Sequence, residues 1–148
     1  MLGPGNLKTP RPLNYLIVRL KDRIMKYEVH YHDGFFEIKD YGDAEAVRFR
    51  ELVDLLLAHE KWKPGTAILV NHSELNAGPL TVSDIYYMAG SFVRSRVQLG
   101  QARIAILVAR DLEYGMARMR TGFVDGKWDV IENVFRSRDE AISWLKDV

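Results

Sequence analysis

Between Arg103 and Leu145 the chain alternates short apolar runs with capped amphipathic segments, and no other feature restricts its fold as tightly. Arg103-Ile-Ala-Ile-Leu-Val-Ala109 has the length and apolar character of a strand covered on both faces. Asp111 to Met119 follows as a helix, with Asp111 as its expected cap and close packing expected at Gly115. Val130-Ile-Glu-Asn-Val-Phe135 reads as the next strand, and Ser137 with Glu140 forms a capping box for a last helix through Leu145. Strand–helix units in series, joined by short connections, predict an α/β sheet with parallel strands and right-handed crossovers.

The same grammar runs upstream. Lys26 to His32 alternates and is rich in aromatic and β-branched residues; Asp33-Gly34 and then Phe35 to Lys39 complete a hairpin signal. Asp43 is expected to cap a helix to about Glu60, with Phe49, Leu52, Val53 and Leu56 as its inner stripe. Trp62-Lys-Pro-Gly65 ends that helix, because Pro and Gly do not continue its hydrogen bonding. Thr66 to Val70 is an unbroken apolar run suited to a central parallel strand.

Asn71 to Leu80 then reads as a loop leading to Thr81, a cap paired with Asp84. The next helix is expected to reach about Val97 before Gly100, with Val82, Ile85, Ala89, Phe92 and Val93 facing inward. Tyr87, Met88 and Ser91 are then expected on its outer side. The predicted fold is a mixed sheet in which an N-terminal hairpin precedes repeated β-α units, with four main helices. With 148 residues and 47% hydrophobic content, one domain over residues 26–148 is expected. Residues 1–25 read as a flexible or weakly structured leader, since Gly3, Pro4, Gly5, Pro10 and Pro12 interrupt regular structure.

Composition excludes several classes of function. A formal net charge of +1, with Lys and Arg spread along the chain, argues against nucleic-acid binding by bulk electrostatics. Without cysteine there is no disulfide, thiol nucleophile or thiolate metal site, which fits a cytoplasmic setting. No apolar run approaches the ~20 residues of a spanning helix, and no secretory signal pattern is present, so stable membrane insertion is not expected.

From Lys26 to Leu145 the chain resembles the SpoIIAA-like superfamily, which includes the STAS domains. The resemblance lies in Trp62-Lys-Pro-Gly65 before Ala67–Val70, and in Asp111-Leu-Glu-Tyr-Gly-Met-Ala-Arg-Met119 after Ile104–Val108. Val134-Phe135-Arg136 leading into Asp139-Glu-Ala-Ile-Ser-Trp-Leu145 adds to it. It implies a stand-alone bacterial domain that binds rather than catalyses. Anti-sigma-factor antagonists of this group carry Asp-Ser, then Ser or Thr and Gly, at the start of the helix after the central strand. A partner kinase phosphorylates that Ser. Here Ser83-Asp84 has the reverse order and no Gly follows it, although Thr81 and Ser83 remain hydroxyls at a helix start.

The candidate site is therefore the stretch from Asn71 to Asp84 with the outer side of its helix: Asn71, His72, Ser73, Glu74, Thr81, Ser83, Asp84, Tyr87 and Met88. It lies at the carboxyl end of a strand, where open α/β sheets bind ligands. The leading reading is a non-enzymatic regulatory module that takes a protein partner or a small apolar, lipid-like ligand there. A second reading is a small-molecule hydrolase using His72 with Glu74. A third is a signalling partner phosphorylated at Thr81 or Ser83, with Ser73 as a further hydroxyl.

His30 and His32 share one face of a strand and could chelate a metal with His72 or Asp33. Two imidazoles without further ligands do not make a site, so neither metal nor cofactor is assigned. Arg118 and Arg120 read as solvated, or packed along the helix by their aliphatic stems. The edge strand Lys26–His32, with unpaired backbone groups, suggests a homodimer.

Overall fold

The computed structural model describes residues 23–127 and 131–147. The leader expected over residues 1–25 thus lies almost wholly outside the described residues, as do Trp128 and Val130. Strands β1 (Lys26–His32) and β2 (Phe35–Asp43) form the expected antiparallel hairpin, turned at Gly34 with φ +90°. Helix α1 (Ala46–Leu57), strand β3 (Ala67–Asn76), helix α2 (Val82–Arg94) and the single turn α3 (Arg96–Leu99) follow. Strand β4 (Arg103–Leu107), helix α4 (Asp111–Val124), strand β5 (Ile131–Phe135) and helix α5 (Arg138–Lys146) complete the order. The sheet runs β1-β2-β3-β4-β5, and every pair after the hairpin is parallel. This is the predicted α/β mixed sheet with four main helices.

Strand alternation divides the core in two. Phe36, Ile38, Ile68, Val70, Ile104 and Ile106 pack with α1, α2 and α4 in the larger cluster. Phe35, Leu69, Ala105 and Leu107 face the other way and pack with Ala141 and Leu145 of α5. Strands β3 and β4 are thereby covered on both faces, as their unbroken apolar runs require.

Several expected boundaries move. Asp43 does not cap α1: it ends β2, pairs in register with Asn76, and its Oδ1 accepts from Asn76 Nδ2 at 2.9 Å. Glu45 occupies the cap position without a side-chain bond. The extra length of β2 gives β3 a partner, so Asn71 to Asn76 continues the strand where a loop is expected. Gly42 allows this close fit at φ +87°, because a Cβ there would lie 2.6 Å from the Ile24 carbonyl oxygen.

The helix expected to reach Val97 breaks at Ser95 into α2 and α3. Its inner stripe is Ile85, Met88, Ala89 and Phe92, so Met88 and Ser91 are buried, while Val82 is exposed and Tyr87 remains exposed as expected. Asp111 is not a cap either. Arg110 holds that position, and Asp111 is a solvent-facing first-turn residue paired with Arg136 at 2.6 Å. Gly115 makes no close packing contact. Ser137 does cap α5, accepting from the Glu140 amide at 3.3 Å. Thr81 and Asp84 form a complete reciprocal capping box on α2.

Candidate functional site

The geometry of the Asn71–Glu74 stretch is set by a β-bulge. Lys39 pairs with Asn71 and Tyr41 with Glu74, so His72 and Ser73 together oppose Asp40 alone. The extra residue resets the alternation and sorts these polar side chains onto opposite faces of the sheet.

On the α5 face they form a closed network. Asn71 Nδ2 donates to Glu37 Oε2 at 3.0 Å, and Asn71 Oδ1 accepts from the Ser73 amide and hydroxyl at 3.0 and 2.6 Å. Arg138 donates to both Glu37 oxygens at 2.6 and 2.7 Å, and His32 Nε2 lies 2.8 Å from Oε1. Arg138 chiefly, against the opposing effect of burial and with help from Asn71 and His32, holds the Glu37 carboxyl at about 2. Glu74 pairs with Lys39 at 3.1 Å on the same face.

His72 turns to the helix face. Its ring packs edge-on against Phe49 with centroids 5.7 Å apart, and Nδ1–H donates to Asp40 Oδ1 at 2.8 Å. His72 and Glu74 therefore do not converge, and the acid–base pair expected of a hydrolase is not assembled. His72 is equally unable to join His30 and His32, which lie on the α5 face with Glu28 and Glu37 as partners. Among the described residues no three metal-ligating side chains gather.

Beside His72, a cavity opens between β3, α1, α2 and α4. Phe49, Leu75, Leu80, Ile85, Met88 and Met116 supply apolar walls, and His72, Glu113 and Arg120 supply polar ones. The centre of a water molecule has about 30 Å³ in which to move, which is room for a water or two and not for an acyl chain.

Glu113 is buried yet satisfied: it accepts from the Ala77 amide at 2.9 Å and from Arg110 twice at 2.7 Å. Burial pushes its carboxyl up, but Arg110 and the Ala77 N–H more than offset this and hold it below the ordinary carboxylate range. Arg120 is 4% exposed, lies over the Phe92 ring at 4.7 Å, and pairs through Nη2 with Glu132 Oε1. Its Nη1 has no partner, and neither does Oδ2 of the fully buried Asp40.

The start of α2 holds the remaining expected residues. Thr81 Oγ1 accepts from the Asp84 amide at 3.1 Å while Asp84 Oδ2 accepts from the Thr81 amide at 2.9 Å, so both are committed to capping. Ser83 is exposed in the first turn. Met88 lines the cavity from within, and Tyr87 faces out with the Arg94 guanidinium 5.8 Å from its ring centre. On the outer side, Val82 and Tyr86 are 61% and 67% exposed, and Leu112 and Met119 of α4 are 47% and 40% exposed. Tyr86 meets Phe123 of α4 edge-on at 5.4 Å, a contact between the two helices.

Sequence reasoning passed over Asp40 and read Arg120 as solvated or packed by its stem, whereas both are buried. Asp40 falls in step with Phe36 and Ile38 on the inward side of β2, and a carboxylate at that position is a readable signal. Arg120 likewise falls in step with Glu113, Ala117 and Val124, the buried stripe of α4. It is buried by its whole guanidinium, while Arg118 is exposed as expected.

No protein-family model matches the chain, and no curated protein matches it in sequence. Solved structures do resemble it. A DUF3478-family protein with a SpoIIAA-like fold from Shewanella loihica PV-4 matches at a TM-score of 0.54 and 17% identity, over 82% of this chain and 93% of that one. An anti-sigma factor antagonist from Mycobacterium paratuberculosis matches at a TM-score of 0.57 and 14% identity, over 84% and 97%. The chain has the SpoIIAA-like fold, which the sequence resemblance implies. No helix among the described residues is long and apolar enough to cross a membrane.

Proposed function

We propose that this SpoIIAA-like domain is a non-enzymatic regulatory module that binds a protein partner through the outer surface of α2 and α4. The observation that carries the reading is the exposure of Val82 and Tyr86 on α2 and of Leu112 and Met119 on α4, with Tyr86 edge-on to Phe123 between the helices. Val82 and Tyr86 lie one turn apart on α2, and Leu112 and Met119 lie two turns apart on α4. Exposed apolar side chains on two packed helices are of the kind that marks a protein interface. Tyr and Met among them suit adaptable contacts.

The likeness to an anti-sigma factor antagonist supports a partner that is itself a protein. The reciprocal Thr81–Asp84 box fixes the end of α2 nearest the patch, so the surface is presented on a rigid element. Affinity capture from the source cells tests the reading. Wild-type protein is expected to retain a defined partner that folded Val82→Glu and Tyr86→Glu variants lose by at least tenfold. A partner retained equally by both variants places the interface elsewhere.

A further inference from the structure

The cavity beneath this surface combines a buried guanidinium with an unpaired donor, an imidazole and apolar walls. Arg120 is almost wholly buried, yet its Nη1 donates to nothing. A buried donor without an acceptor is costly, and native structures fill such positions with a ligand or an ordered water. His72 is oriented by Asp40: Nδ1–H donates to the carboxylate, which leaves Nε2 as an acceptor without a protein partner among the described residues. Both side chains line the same cavity. One group that accepts from Arg120 and donates to His72 satisfies both at once, and a hydroxyl is the smallest group that does so.

We propose that this cavity is a binding site for a small uncharged molecule carrying a hydroxyl group, an alcohol or a phenol, held between Arg120 Nη1 and His72 Nε2. The absence of charge on the ligand follows from the charges already present. Arg120 is neutralised by Glu132 and Glu113 by Arg110, while Asp40 holds His72. An anion entering the cavity would meet the Glu113 carboxylate in its wall, with Asp40 behind His72, and the one lining guanidinium, Arg120, is already paired with Glu132. The apolar body of the ligand lies against Phe49, Leu80 and Ile85, where burial rather than hydrogen bonding supplies the affinity. The resting space accommodates the hydroxyl, and a ring follows when the unbranched side chains of Met88 and Met116 rotate away. This site goes beyond the protein-docking surface and needs no partner to be tested.

The test is a titration of full-length protein carrying 13C-methyl methionine with phenol, anisole, benzene and benzoate. The chain has five methionines, so the Met88 and Met116 signals report on the cavity while Met119 reports on the outer surface. Phenol is expected to shift Met88 and Met116, leave Met119 in place, and bind at least tenfold tighter than benzene. Anisole, whose oxygen accepts but cannot donate, is expected between them. Ala117 also lines the cavity, and Ala117→Val, which adds two methyl groups there, is expected to weaken phenol at least tenfold while the variant still unfolds cooperatively. His72→Asn keeps a donor to Asp40 but loses the Nε2 acceptor, and is expected to reduce phenol to the level of anisole. Equal binding of phenol and benzene overturns the polar anchor. Tighter binding of benzoate overturns the uncharged class. No shift of Met88 and Met116 with any of the four shows a cavity for water only and overturns the site.

Discussion

The two faces of the sheet differ most where β3 bulges. On the α5 face, Glu37 collects Arg138, Asn71 and His32, Asn71 in turn holds Ser73, and Glu74 pairs with Lys39. On the helix face, one residue away in sequence, His72 and Asp40 stand beside a cavity with Asp40 Oδ2 and Arg120 Nη1 unpaired. A satisfied network has no spare donor or acceptor to offer a ligand, and its residues hold the fold. An unsatisfied donor next to open volume leaves a hydrogen-bonding position that a ligand or a water can fill. The bulge thus divides one contiguous polar stretch into a satisfied network and the half that we propose binds.

The largest effect is expected at the ion pair behind the cavity. Arg120→Met leaves the buried Glu132 carboxylate with Thr121 as its remaining side-chain partner, and this is expected to cost about 3–5 kcal/mol in chemical denaturation. A cost near zero would mean that Arg120 is not committed to Glu132 and that the two faces are alike.

Glu37→Gln is expected to cost about 2 kcal/mol at neutral pH, less than the full pKa shift implies because Arg138 is 43% exposed. Its sign with pH is fixed. The folded carboxyl sits at about 2, below its ordinary 4.5, so this stability is present above about 4.5 and is lost as pH falls toward 2. Wild-type and variant stabilities should therefore converge in acid, and a constant difference across that window would contradict the network. A smaller contrast separates two helix starts. Thr81→Ala is expected to lose about 1 kcal/mol, whereas Asp111→Ala, at an exposed ion pair, is expected to change stability by less than about 0.5 kcal/mol. Thermal unfolding of both variants checks this order.

The fold was legible because its signals are periodic and local: the apolar runs of β3 and β4, the Asp33-Gly34 turn, and the caps at Thr81 and Ser137. The misplaced boundaries share a cause. Asn71 to Asn76 is polar, and only the extension of β2 as far as Asp43 makes it a strand. That pairing is tertiary, so the sequence around Asn71 carries no sign of it. The same cause hid the site. A period-2 reading through His72 and Glu74 places both on one face, and the bulge that separates them depends on register with Lys39 and Tyr41. Asp40 and Arg120 were open to inspection as polar residues in apolar stripes, but their meeting at one cavity required the packing of α4 on the sheet.

Photocrosslinking tests the division of the molecule most directly. A photoreactive residue is placed at Tyr86 on α2 or at Ser143 on α5, both exposed, in cells that contain the natural partners. The division predicts a discrete adduct with another protein from position 86 and none from position 143. An adduct from position 143 with none from 86 would show that the α5 face is the binding face and contradict the assignment.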